Sequence, residues 1–143
     1  LPSTGGVVVL LDGTFPVSDS VYTDVAIQIS ATSTAIVGTG PASIIKLENS
    51  HNGDVQIISA NTGVSGNLSD LYLANFSIDG NKDNQSSGDS YGVFFSGVIN
   101  STIENLTVKN IQVASLGNEG GISIGAGGGN VVTREISIDK TRN

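Results

Sequence analysis

The stretch Asp79-Gly-Asn-Lys-Asp-Asn84 sets side-chain oxygens at alternate positions, on Asp79, Asn81 and Asp83. Clustered carboxylate and amide oxygens are what a hard cation such as Ca²⁺ requires, and this spacing matches the opening of a calcium-binding loop. The match stops halfway. The sixth position, where such a loop needs glycine, is Asn84, and the twelfth, which supplies a bidentate glutamate, is Ser90. Asp-Gly-Asn is equally an ordinary turn sequence. The turn is the preferred reading, with Ca²⁺ as the candidate cofactor of the other.

A second set of residues has the chemistry of glycan contact. Tyr72 alternates against Leu71 and Leu73, so it faces away from whatever those leucines bury, and an exposed phenol ring suits a sugar face. Arg134 stands thirty positions beyond Glu104, where outward side chains would form an ion pair if the two segments stack. Tyr22 and Tyr91 are the other aromatics expected outside, whereas Phe76, Phe94 and Phe95 are expected in the core. Asp70, Asp79, Asp83, Asp89, Glu104 and Glu119 are carboxylates available to an outer groove. His51 lies in Glu48-Asn-Ser-His-Asn-Gly-Asp54, a turn composition that predicts an exposed loop histidine. Asn67, Asn75, Asn84, Asn100 and Asn105 begin N-x-S/T sequons. They are candidate glycosylation sites only in a secreted chain, and the abundance of Asn, Ser and Thr accounts for them equally well.

Composition narrows the classes. Six Lys and Arg stand against thirteen Asp and Glu, for a formal net charge of −7. That balance argues against nucleic acid as a partner, because phosphate binding needs clustered cations. No run approaches the roughly 18 apolar residues of a membrane-spanning helix. There is no cysteine, so disulfides say nothing of compartment. Charged residues are only 13% of the chain, and the polar remainder is Ser, Thr, Asn and Gly, which favours strands and turns over helix interiors.

The elements that must position these residues follow from a repeat. Leu71–Asp79 (LYLANFSID), Ser101–Lys109 (STIENLTVK) and Val131–Asp139 (VVTREISID) align in steps of thirty residues. Phe76, Leu106 and Ile136 coincide, as do Ile78, Val108 and Ile138, with Ser77, Thr107 and Ser137 between them. Asn75, Asn105 and Glu135 fall together at a turn, and the column Asp79, Lys109, Asp139 alternates in sign. Second strands follow from Tyr91 (YGVFFSG) and Gly120 (GGISIGAG). The period within each copy is two, which is strand. One such unit leaves an apolar face and two strand edges open, and stacking the next copy on it satisfies both, giving a solenoid.

The segments LPSTGGVVVLLDGTFPVSDSV, AIVGTGPASIIKL and FSIDGNKDNQ…YGVFF together resemble the N-terminal part of right-handed parallel β-helix proteins of the pectate-lyase-like superfamily, phage tailspike-type members included. The resemblance implies an all-β, single-stranded β-solenoid of roughly five rungs. Residues 1–143 would form one domain, with lead-in rungs over 1–60 and thirty-residue rungs over 61–143. It places LPSTG, which also fits a sortase signal, in a turn before the first strand. The chain is expected to be part of a longer protein, extracellular or on a cell or virion surface.

Lyases of this kind hold Ca²⁺ with carboxylates and abstract a proton with Arg or Lys, and the hydrolases use paired carboxylates. No complete catalytic motif of either kind is present, so catalytic residues stay unassigned. The expected function is binding of a polysaccharide, or its depolymerisation by the full-length protein. The alternative is a non-enzymatic module that self-associates end to end in an extracellular filament.

Overall fold

The computed structural model describes residues 4–19, 24–61, 67–112, 120–124 and 129–139. Each strand finds its partner in a neighbouring coil of the chain. Every strand pairing among the described residues is parallel. The first coil holds β1 (Gly6–Leu10), β2 (Gly13–Val17) and β3 (Val25–Gln28). The second holds β4 (Thr34–Gly38), β5 (Ser43–Leu47) and β6 (Val55–Asn61), and the third β7 (Leu68–Ser69), β8 (Tyr72–Asp79) and β9 (Ser90–Ser96). The fourth holds β10 (Val98–Lys109) and β11 (Ile122–Ile124), and β12 (Gly129–Asp139) opens a fifth. The solenoid thus has about four turns, somewhat fewer than the five rungs expected. The sole helical piece among the described residues is a short 3₁₀ turn, Lys82–Asn84.

Three faces result. The first stacks β1, β4 and the leading halves of β8, β10 and β12. The second stacks β2, β5 and the trailing halves of the same three strands. The third stacks β3, β6, β9 and β11. The long strands turn the corner between the first two faces at Asn75, Asn105 and Glu135, whose φ angles are 62°, 52° and 50°. Left-handed backbone is unfavourable for most side chains, and asparagine tolerates it best because its short amide bonds locally. Here the amides also bond to each other across coils: Asn105 Nδ2 donates to Asn75 Oδ1 at 3.0 Å.

The interior is built from columns. Leu106 pairs in register with Phe76 below and Ile136 above, and Val108 likewise with Ile78 and Ile138. Phe76 and Leu106 are each 1% exposed, and Ile136 packs on them half-buried. The expected charge column also stands in register, with Lys46 added at its foot: Lys46, Asp79, Lys109, Asp139. Along the long strands the thirty-residue step holds from the third coil on. Between the second and third coils it is longer, since Ala35 pairs with Tyr72, which is why the N-terminal half reads less regularly in sequence.

The third face breaks strand alternation, and that break matters for its outer surface. Ile57 and Ile58 are consecutive, yet both are fully buried in the core. Register sets Gly92 opposite Ile57 and Val93 opposite Ile58. A Cβ on Gly92 would lie 2.5 Å from Val108 Cγ1 and 2.6 Å from the Gly121 carbonyl oxygen, so only glycine fits this inward position.

Two substitutions test these columns. Leu106→Ala removes the centre of the stacked core and is expected to cost about 2–5 kcal/mol in a urea denaturation. Glu135→Asn puts the tolerant residue at the left-handed corner of the last coil and is expected to stabilise by about 1 kcal/mol in the same assay.

Candidate functional site

On the third face, Val93 and Phe95 are buried in the core, so Phe94 between them points outward. Its ring meets that of Tyr91 edge to face, with centroids 5.6 Å apart and planes at 73°. Both rings are half-buried. Phe94 is therefore an outer-face residue, a correction to its expected place in the core, caused by the doubled inward step at Gly92 and Val93. In the coils around it, Gln28, Ser59 and Ser123 share the Phe94 column and Gln56 shares that of Tyr91. Gln56 Oε1 and Ser59 Oγ are buried with no hydrogen-bond partner within the protein. The face thus presents two half-buried aromatic rings beside the exposed Gln28, while Ser59, 0% exposed, and the Gln56 amide oxygen lie beneath its surface.

The first face carries the residues that sequence singled out. Tyr72 is half-buried on the side opposite Leu71 and Leu73, both buried, as its alternation predicts. Its hydroxyl donates to Glu104 Oε1 in the next coil. Arg134 stands in register with Glu104 but is exposed, and no ion pair joins them among the described residues; the glutamate is engaged by Tyr72 instead. The hydrogen bond to Glu104, then partial burial, then the carboxylate's negative charge hold the Tyr72 phenol above its ordinary pKa. Tyr72 and Glu104 are thus brought together, with Arg134 one coil beyond.

The Asp79–Asn84 stretch folds as a hydrogen-bonded turn. Asp79 Oδ1 accepts from the Asn81 backbone N–H at 2.9 Å and from Asn110 Nδ2 at 3.0 Å. Asn81, left-handed at φ 54° and 5% exposed, donates to the Leu47 carbonyl at 2.9 Å and to Asn49 Oδ1 at 2.8 Å. Its own Oδ1 accepts from Asn84 Nδ2 at 2.8 Å. Asp83 is exposed. Two of the three oxygen donors therefore spend bonding capacity on tying the third coil to its neighbours. Among the described residues, no group of three or more His, Asp or Glu is placed to hold a metal ion.

His51 departs from the expected exposed loop. Its Nδ1 lies 3.1 Å from Asp19 Oδ1, with side-chain exposure of 9%, so it pins two coil connections together. Beside it is an open polar cleft of about 370 Å³ that includes Asp24 and Glu48. Among the sequons, Asn84 and Asn105 donate their side-chain N–H to Asn81 and Asn75, whereas Asn67 and Asn100 are exposed. Tyr22, Glu119 and the first three residues of LPSTG lie outside the described residues. Sequence reasoning missed Phe94, Gln28 and Gln56 on the outer face. The available signal was Ile57-Ile58 followed one coil later by Gly92-Val93, a paired inward step that shifts the outward positions.

A raised folded pKa means that the fold holds the Tyr72 proton more tightly than the unfolded chain does. The resulting stabilisation is present below the ordinary tyrosine value of 10.0 and fades as pH rises through the raised value. Alkaline titration followed by phenolate absorbance should show one midpoint falling in Glu104→Gln; an unchanged curve would contradict the Tyr72–Glu104 bond.

No protein-family model matches the sequence, and the search of curated proteins gives no match. Among solved structures, the chain is similar to the A-module of Azotobacter vinelandii mannuronan C-5 epimerase AlgE4, with a TM-score of 0.65 and 23% identity. The alignment covers 90% of this chain and 33% of that one, so the chain spans about a third of the module's length. The likeness is one of fold: this chain is a right-handed parallel β-helix.

Proposed function

We propose that the chain is a glycan-binding module that lays a polysaccharide across its third face, in a protein acting outside the cell. The observation that carries this reading is the outward Tyr91–Phe94 pair set beside Gln28 and Gln56. Aromatic rings offer apolar surface and a polarised face to the C–H groups of a sugar ring, while amides and hydroxyls supply direction. A flat parallel face repeats such positions coil after coil, which suits a polymer better than a single small ligand. The structural neighbour's name, a mannuronan epimerase, supports a polysaccharide as the class of partner. Tyr72 and Arg134 on the first face form a second, weaker contact surface in the same reading.

A second reading has one observation in its favour. Ile122, Ile124, Thr133, Ile136 and Ile138 line an open apolar cleft of about 420 Å³ at the β11–β12 end, where another copy could stack. Sedimentation separates the two readings. Mass that rises with concentration and falls in Ile138→Glu favours assembly, and a monomer that shifts on a glycan array favours binding. Depolymerisation is tested by following unsaturated-uronate absorbance and reducing ends across a polysaccharide panel.

For the binding reading, Tyr91→Ala and Phe94→Ala are each expected to weaken affinity by roughly tenfold while leaving the far-ultraviolet circular dichroism unchanged. The measurement is affinity electrophoresis in gels cast with each polysaccharide. Wild-type mobility unaffected by every polysaccharide would remove the reading.

A further inference from the structure

The turns that lead into β6 and β9 lie one upon the other. His51-Asn-Gly-Asp54 and Ser86-Ser-Gly-Asp89 match position for position. Asn52 bridges to Ser87, and the Asp89 N–H donates to Asp54 Oδ1 at 2.9 Å. The two backbones are so close that a Cβ on Gly88 would collide with the Gly53 carbonyl. Asn52 is exposed and lines the polar cleft beside His51, where water reaches it.

Asn52-Gly53 is also the one Asn-Gly pair in the sequence. In such a pair the glycine nitrogen can attack the asparagine side-chain carbonyl, because glycine has no Cβ to obstruct ring closure. Two Asp-Gly pairs, Asp12-Gly13 and Asp79-Gly80, have the atoms for the same ring, but their nitrogens are occupied. The Gly13 N–H donates to the Ala42 carbonyl at 2.9 Å and the Gly80 N–H to the Lys109 carbonyl at 3.0 Å. The Gly53 N–H lies 3.4 Å from the Ser87 carbonyl oxygen, beyond the usual range of about 2.7–3.2 Å. The carbonyl to be attacked is prepared as well. Ser87 Oγ donates to Asn52 Oδ1, which draws electrons from Cγ and stabilises the oxyanion of a tetrahedral adduct.

From these contacts we infer that Asn52 is a self-modification site, at which Gly53 N closes on Asn52 Cγ with Ser87 Oγ as the oxyanion donor. The N–Cγ bond forms, the amide nitrogen leaves as ammonia with the Gly53 proton, and a succinimide remains. Water then opens the ring, adding hydroxyl to one carbonyl carbon and hydrogen to the ring nitrogen. Opening at Cγ gives aspartate. Opening at the main-chain carbonyl breaks its bond to Gly53 and reroutes the chain through Cβ and Cγ, giving isoaspartate. No electrons are transferred, and water is the co-reactant. Isoaspartate lengthens the backbone by a methylene against Gly88, where there is no room. It therefore parts Asn52 from Ser87 and loosens the join between the second and third coils.

The test ages the full chain in mildly alkaline buffer, maps its peptides by mass spectrometry and measures released ammonia. The Asn52 peptide should gain the mass difference between a hydroxyl and an amino group ahead of every other asparagine. It should split into aspartate and isoaspartate forms, and the aged protein should unfold at lower urea than fresh protein. Ser87 is exposed and tolerates substitution. Ser87→Val should slow the native conversion about tenfold, while Ser87→Thr, of the same shape with a hydroxyl, should keep the wild-type rate. In concentrated urea the three proteins should convert alike, because the hydroxyl is no longer held at Asn52. Unmodified Asn52 in native buffer, or another asparagine converting faster, overturns the inference. Equal native rates for Ser87→Val and Ser87→Thr, with wild-type circular dichroism in both, remove Ser87 from the step and overturn it as well.

Discussion

A parallel coil cannot satisfy its own backbone. Each N–H and C=O along its strands points up or down the stack, so the bonds exist only when the next coil arrives in register. This single requirement sets the spacing, aligns equivalent residues, and turns the sequence into vertical columns. A residue then packs mainly against its counterparts in the coils above and below. Apolar columns such as Phe76, Leu106 and Ile136 become a continuous dry interior, and the alternating charges of Lys46, Asp79 and Lys109 avoid like-charge contact between nearest coils.

The same requirement limits what a column admits. The corner between the first two faces needs left-handed backbone, and asparagine supplies it twice while closing a side-chain bond across coils. On the third face, Gly92 lies so close to Val108 and the Gly121 carbonyl that no side chain fits. That close approach doubles the inward step and turns Phe94 out beside Tyr91. Core packing inside thus decides which aromatic reaches the surface.

Much of this was legible from the chain, and the reason is the repeat. Three segments in exact thirty-residue steps allow columns to be read directly, so Phe76 over Leu106, the Asn75–Asn105 corner and the outward Tyr72 all followed from alternation and alignment. What escaped was either non-periodic or diagonal. Phe94 was assigned to the interior together with Phe95 because both are large and apolar, and the doubled inward step at Gly92 and Val93 that turns Phe94 outward leaves no mark on the repeat. The His51–Asp19 pair joins connections between strands, where no period operates. Glu104 was expected to meet Arg134, its register partner, but a long tyrosine side chain reaches it diagonally from the coil below. The Asp79–Asn84 oxygens look like metal ligands in sequence, whereas Asn49 and Asn110, which bond to this turn, lie about thirty residues away on either side.

The one-dimensional build of the stack has a consequence for how the molecule comes apart. In such an array, stability is a sum of nearest-neighbour terms, so each coil is held by the coils directly above and below it. Opening therefore spreads from coil to coil like a zipper, and the His51–Asp19 clasp and the Asn81 turn hold the central coils shut.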